Sequence, residues 1–449
     1  MSDSAEVAKS VGLGELEEAV QRALDEARRL GADAAESGAS VDSGLSVTVR
    51  MGEVETLEYQ NDRGIGITVY FGKRRGAANT SDLDPAAIRE AAAHACELAR
   101  HTQEDPHAGL PDAEHLARDW PDLDLCHPWQ LPPDEAIDIA RRCEDAARTL
   151  DERIENSDGG SVNSHHGLRA YGNSHGFLGS FEGNTHAISC AVVGRQGEEM
   201  QRDFWYTVAR RPDALESPED VGRRAAERTL ARLGSERLDT RRVPVLFPPE
   251  LARGLIGALV GAVSGPAQYR EASWLLGAAG ETVAPKWLSL VERPHLPGAM
   301  GSAPFDSEGV AVRENPLVEE GRLCRYVLDS YTARQLGLET TGNAGGVRNL
   351  ELQGGEGTRE DLLRQMGTGL MVTELMGQGI NGVTGDYSRG AAGFWVENGE
   401  IRQPVQEITI AGNLRDMFAN IVAAGADLDT RSNIRTGSLL IREMTVAGQ

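Results

Sequence analysis

Metal or nucleophilic chemistry in this chain would fall first to its ten histidines and five cysteines, and their spacing limits what they can do. His165, His166, His175 and His186 span only 22 residues, a density that suggests a metal site. Their segment alternates like strands, with turns at Asn173 and Gly183, so the side chains need not converge. Such clusters are more often hydrogen-bonded turn and surface residues. No histidine is followed by glutamate and none occurs after His295, which excludes a helical zinc motif beginning His-Glu. Cys96, Cys126, Cys143, Cys190 and Cys324 form no Cys-x-x-Cys pair and are odd in number, a pattern expected of reduced thiols in a cytoplasmic protein.

Gly172-Asn173-Ser174-His175-Gly176 matches the G-x-S-x-G of serine hydrolases. That motif needs a helix directly after the serine, whereas the following FLGSFEG reads as a strand, so a hairpin turn is expected at Ser174. Gly72-Lys73, the only Gly-Lys pair, precedes arginine where a P-loop requires Ser or Thr to hold magnesium. The glycine-rich run 377–393 has few large apolar side chains before its last residues. Its backbone is a candidate to pair with an extended peptide, with Asp386, Tyr387, Ser388 and Arg389 as substrate-binding residues. The competing reading is that its glycines serve tight turns while Asp386 and Arg389 pair with each other.

The elements that must position these groups come in separated blocks. Leu16, Ala19, Val20, Ala23, Leu24, Ala27 and Leu30 follow helical spacing, and Gly31 is a natural stop. The period then changes to two, through Leu45, Val47, Val49 and Ile65, Ile67, Val69, Phe71, giving a meander of about four strands. Asp84-Pro85 opens a helix running to about His101. The segment 103–129 is proline-rich and acidic and reads as a linker. A helix from Pro133 to near Leu150, hairpins to about Val208, and a helix starting at Ser217-Pro218-Glu219-Asp220 and ending at Gly234 make a central unit. From Val243 a strand, a helix from Pro249 and mostly β-like segments follow, interrupted by helices at 361–366 and 413–422. The expected fold class is α+β: an N-terminal α/β-meander domain (1–102), a linker (103–129), a central α+β domain (130–236) and a C-terminal β-rich domain (243–449).

Composition narrows the function classes. A formal charge of −24 argues against a nucleic-acid surface. The basic residues are almost all arginine, with lysine only at Lys9, Lys73 and Lys286. The first ten residues lack the basic and apolar regions of a signal peptide, and the longest apolar run, 254–263, is too short to span a membrane.

The run GDYSRGAAGFWVENGEI from Gly385, followed by EITIAGN from Glu407, resembles the C-terminal signature of the PmbA/TldE proteins, the sister family of the TldD metallopeptidases. Further resemblance lies in TLEYQNDRGIGITVYFGKRRGAANTSDL from Thr56, NSHHGLRAYGNSHGF from Asn163, APFDSEGV from Ala303, MGTGLMVTELMGQG from Met366 and DTRSNIRTGS from Asp429, which together cover essentially the whole chain.

The resemblance implies a β-barrel-like C-terminal domain, which houses the metal site in TldD. TldD proteins carry H-E-x-x-x-H and a C-terminal cysteine ligand. Matching LIGALVGAVSG to that motif puts Gly257 and Ala258 at its His-Glu and Ala262 at its second histidine, and the last cysteine here is Cys324. The expectation is therefore a chain with no metal and no catalytic residue of its own. It would be the non-zinc subunit of a cytoplasmic protease whose zinc sits in a TldD-type partner and whose substrates are unfolded peptides, such as peptide-antibiotic precursors and labile antitoxins. The family's older name, modulator of DNA gyrase, reflects the targets of those peptides and need not imply contact with DNA. Small residues at Gly254, Ala258, Gly261 and Gly265 would let another backbone approach this helix, from a partner subunit or within its own domain. The alternatives are a stand-alone peptide-binding, chaperone-like protein, which a co-purifying TldD would eliminate, and a hydrolase using Ser174, which Ser174→Ala would test.

Overall fold

The structure, a computed structural model, describes residues 12–448, so the N-terminal decapeptide and Lys9 lie outside it. Helix α1 (Leu13–Arg29) buries Leu16, Ala19, Val20, Ala23, Leu24 and Ala27 along one face. Strands β1 (Ala34–Arg50), β2 (Glu53–Phe71) and β3 (Arg74–Thr80) follow, then α2 (Pro85–His101), which buries Ile88, Ala92, Ala95 and Ala99. Three long strands replace the expected four. Residues 53–63 are almost wholly exposed on both faces, yet antiparallel pairing with β1 carries β2 through them, with one register shift at Thr48/Val49.

The second block is α3 (Pro133–Arg148), β4 (Ile154–Asn173), β5 (Leu178–Gln196), β6 (Glu199–Ala209) and α4 (Pro218–Ala231). Its strands join the first three in one antiparallel sheet of order β3-β2-β1-β4-β5-β6. β1 and β4 pair from Glu36↔Asn173 to Val49↔Gly160, so the segments on either side of the linker contribute halves of a single sheet. Ala35, Ala39, Leu45, Val47 and Val49 alternate onto the face covered by helices, α1 and α2 over one half and α3 and α4 over the other. Glu36, Gly38 and Ser40 therefore face the opposite way. The buried Glu144 of α3 accepts hydrogen bonds from the Met51 (2.7 Å) and Gly52 (2.9 Å) amides and so fixes the β1–β2 turn.

The C-terminal region contains β7 (Arg241–Phe247), α5 (Pro249–Ala262), α6 (Gly265–Tyr269), β8 (Ser289–Glu292), β9 (Asn315–Glu319), β10 (Arg322–Leu323), α7 (Ser330–Leu336), β11 (Leu350–Gln353) and α8 (Arg359–Met366). It ends with β12 (Gly369–Met376), β13 (Asp386–Glu397), β14 (Glu400–Asn413), α9 (Leu414–Ala419), β15 (Ile421–Ala424), β16 (Ile434–Arg435) and β17 (Leu439–Ala447). β14-β13-β12-β7-β17 run side by side, and β17 returns to pair with β14, closing a five-stranded barrel with only β7–β12 parallel. A second sheet, β10-β9-β8-β11-β16, lies beside it. Barrel residues Val245, Phe247, Leu370, Val372, Ile410 and Ile441 share one core with Leu255, Ile256 and Leu259 of α5. α6 and α7 were not expected from the sequence; at five and seven residues they are too short to show helical periodicity.

Candidate functional site

α5 leaves β7 through Pro248, whose carbonyl accepts from the Leu251 (2.9 Å) and Ala252 (2.8 Å) amides, and Pro249 occupies its first turn. Ala252, Leu255, Ile256, Leu259 and Ala262 are buried on the barrel side. Gly257 and Ala258 lie partly exposed. A Cβ at Gly257 would rest 3.8 Å from Ile434 Cδ1. Ala262 is buried, and its carbonyl accepts from Gln268 Nε2 (2.7 Å) and Ser273 Oγ (2.6 Å). The three positions offer hydrogen or methyl where zinc needs nitrogen, oxygen or sulfur donors, so the residues present do not fit a metal held on α5. Beyond the adjoining backbone of α5, none of the described residues comes within 4 Å of a Cβ built at Gly254 or Gly261, whereas one at Gly265 would meet the Thr332 side chain. The small-residue stripe is thus open at its start and middle and packed only at its end.

The first turns of α5 face β6 and the DTRSNIRTGS segment. Arg253 donates to Tyr206 Oη (3.2 Å), and Glu250 pairs with Arg228 (3.2 Å). Arg431 lies over Trp205 (4.6 Å) and Tyr206 (4.4 Å) and pairs with the buried carboxylate of Asp429 (2.9 Å). Its Nη1 also donates to the Tyr206 carbonyl (2.9 Å), tying the six-stranded sheet to the barrel side.

The four residues from Asp386 alternate across β13. Asp386 is exposed; it accepts from Thr384 Oγ1 (2.7 Å) and Asn413 Nδ2 (3.2 Å), which hold its carboxyl below the usual range. Tyr387 is buried in the barrel core, and desolvation pushes its phenol up to about 12. Ser388 is exposed. Arg389 is partly buried beside Tyr387; its Nη2 donates to the Leu375 carbonyl (3.5 Å), and Asp386 instead pairs with Thr384 and Asn413. Among the described residues, the Tyr387 hydroxyl and Arg389 Nε are both buried without a hydrogen-bond partner. The backbone of 386–388 is engaged on both sides, with β14 and with the strap 379–382, where the Ser388 amide donates to Gly379 (2.7 Å) and the Asn381 amide to Asp386 (2.8 Å). Gly379 is required there, since a Cβ would collide with the Ser388 carbonyl oxygen.

Ser174 lies in the β4–β5 hairpin, and its Oγ accepts from the Ala35 amide (3.0 Å). Neighbouring His175 is turned to the Pro111 carbonyl (3.0 Å) and so is not positioned as a base for Ser174. The clustered histidines diverge: His186 bridges Ser164 Oγ (2.9 Å) and the His127 carbonyl (3.0 Å), and burial pushes its pKa down. His166 pairs with Glu182 (3.1 Å). The single grouping of three potential metal donors among the described residues is Cys126, His166 and Glu182.

Two cavities separate the uncovered sheet face from the APFDSEGV loop. One of about 390 Å³ is lined by Gly38, Arg169, Tyr171, Phe305, Asp306 and Arg348. The other, about 580 Å³, is lined by Glu36, Tyr70, Asp105, Glu308, Asp329 and Tyr331. Glu36 accepts from both Tyr70 and Tyr171 (2.8 Å each). Burial, reinforced by Asp306 and Asp329, raises Glu308 to about 7. This acidic cleft is not legible in the sequence, because its acids Glu36, Asp105, Glu308 and Asp329 come from four distant segments.

A closed barrel joined to a helix-covered antiparallel sheet finds its counterparts among metallopeptidase domains. The chain matches the PmbA/TldA metallopeptidase domain 1 over residues 36–99, the central domain over 126–233 and the C-terminal domain over 240–448. It belongs to the PmbA/TldD family. It is 50% identical to the metalloprotease PmbA of Escherichia coli O157:H7 over 97% of this chain and 96% of that one. With the metalloprotease PmbA homologue of Haemophilus influenzae it shares 46% identity over 97% and 96%. In structure it resembles a putative modulator of DNA gyrase from Bacteroides thetaiotaomicron, with a TM-score of 0.92 and 27% identity over 96% of this chain and 99% of that one. TldE from Thermococcus kodakarensis shares the fold, with a TM-score of 0.81 and 23% identity over 96% and 100%.

Proposed function

We propose that this chain is the non-zinc subunit of a two-part cytoplasmic metallopeptidase that cleaves unfolded peptides, of which peptide-antibiotic precursors and labile antitoxins are examples. The observation that carries the reading is α5, where Gly257, Ala258 and Ala262 leave no donor for a catalytic metal while the surrounding fold is kept whole. Near-full-length similarity to proteins named metalloproteases supports a role in proteolysis, and the residues at the three α5 positions support a reading in which a TldD-type partner supplies the zinc. The open faces of Gly254 and Gly261 suit the close approach of a partner's backbone.

This chain's own part would be to bind and align peptide. Because β13 is already paired on both edges, the contribution comes from side chains, chiefly Arg389, a partly buried guanidinium whose Nη2 makes a long 3.5 Å contact to the Leu375 carbonyl and suits a peptide carboxylate. Tyr387 would support Arg389 from the barrel interior, and Asp386 and Ser388 would lie on the outer face. The net charge of −24 and the lack of any helix long and apolar enough to cross a membrane, among the described residues, fit a reading without nucleic acid or membrane as partner. The test is cleavage of an unfolded peptide by each chain alone and by the pair. The reading requires both chains and inhibition by a chelator; it fails if the partner alone is equally fast.

A further inference from the structure

His166 and Glu182 face the helix-covered side of the sheet, diagonal to each other across the β4–β5 pair, since His166 stands opposite Asn184. His166 falls between Val162, packed with α3 and α4, and Leu168, packed with α1 and α2, where neither helix pair covers the sheet. The linker fills that gap. The Asn184 amide donates to the Leu125 carbonyl (3.1 Å) and Asn184 Oδ1 accepts from the His127 amide, which sets Cys126 beside β5. One donor atom from each of Cys126, His166 and Glu182 then lies within 4.8 Å of the others, with His166 Nε2 and Glu182 Oε2 at 3.1 Å.

We propose that Cys126, His166 and Glu182 bind a borderline-soft divalent cation of the zinc class, clamping the linker onto the sheet. One sulfur, one nitrogen and one oxygen suit such an ion, and two anionic ligands balance its charge. Tetrahedral coordination places donors roughly 3.3–3.8 Å apart, so closing the site requires side-chain rotation of about 1 Å and no backbone shift. Cys126 and Glu182 also line a cavity of about 350 Å³ with Trp120, Asp122, Phe181 and Pro304, and water in that cavity would supply the remaining ligand. Binding exchanges the thiol proton for the metal, and the proton leaves to solvent. Arg210, which donates to the Asn184 carbonyl (3.1 Å), supplies positive charge that favours the thiolate and sets an upper limit on affinity. A cysteine nucleophile suits this geometry less well: burial and the Glu182 carboxylate push the Cys126 thiol up to about 11, the direction opposite to activation. The ion proposed here is structural and remote from α5 in sequence; it departs from the expectation of a chain without metal, leaves the catalytic zinc with a partner, and does not rest on the role proposed above.

The full chain, stripped with chelator, is titrated with Co²⁺ and separately with Zn²⁺. The expected result is about one Co²⁺ per chain, a cobalt–thiolate charge-transfer band, and roughly one proton released per Zn²⁺ at neutral pH. The band and the proton are lost in Cys126→Ser and the band is weakened at least tenfold in affinity in His166→Gln. Both persist in Cys324→Ser, which removes the exposed competitor thiol. Melting temperatures in chelator establish that each variant is folded, and Zn²⁺ raises that of the parent but not of Cys126→Ser. No band in the parent, or a band that survives Cys126→Ser or disappears in Cys324→Ser, overturns the proposal.

Discussion

Glu308→Gln should stabilise the protein at alkaline pH and have little effect in acid. Glu308 belongs to the APFDSEGV loop, accepts from the Ser330 amide (3.0 Å), and is raised from 4.5 to about 7 by burial and by Asp306 and Asp329. A carboxyl raised in the folded state favours its protonated form there. Its contribution is therefore fully present below about pH 4.5 and is lost as pH rises to about 7, beyond which the difference is constant. A shift of this size corresponds to about 3 kcal/mol, and roughly 2 kcal/mol of it develops between pH 5 and pH 8. Glutamine keeps the acceptor for Ser330 and removes the charge. Urea unfolding of parent and variant at both pH values measures the effect as a difference of differences, which cancels every other titrating group. The variant should gain about 2 kcal/mol relative to the parent on going from pH 5 to pH 8. An equal difference at both pH values, or a larger gain at pH 5, refutes the assignment of Glu308 as the desolvated acid.

Arg431→Ala strips the partner from the buried Asp429 and removes the stack on Trp205 and Tyr206, and should cost about 3 kcal/mol in urea unfolding, with Arg431→Lys failing to restore it. Gly379→Ala should push the strap 379–382 off β13, seen as lost hydrogen-exchange protection at the Ser388 amide while the β12–β13 amides stay protected. In the assembled protease, Arg389→Ala should raise the peptide KM about tenfold with little change in melting temperature, as expected for loss of a charge-assisted hydrogen bond; unchanged KM and kcat would remove Arg389 from peptide binding.

Helices with strong punctuation were legible from the sequence. Asp84-Pro85 and Ser217-Pro218 mark the starts of α2 and α4, and the spacing from Leu16 to Ala27 marks the buried face of α1. The continuity of the six-stranded sheet was not, because β1 and β4 pair across more than a hundred residues and nothing local specifies that partner. The placement of Asp386 and Arg389 was legible in principle: an interval of three along a strand puts them on opposite faces, which excludes the mutual pairing entertained above. The missing donors on α5 could be read directly from residue types. The Cys126 grouping could not, since its geometry depends on Asn184 holding the linker and on a gap between two helix pairs.

The central claim is that catalytic zinc belongs to a partner and not to α5 of this chain. The most direct measurement is zinc-dependent cleavage of an unfolded peptide by this chain, by a TldD-type chain and by their mixture, each before and after chelation and zinc readdition. The account predicts activity only in the mixture, abolished by chelator and restored by zinc. Zinc-dependent cleavage by this chain alone, or equal cleavage by the partner without it, would contradict the account.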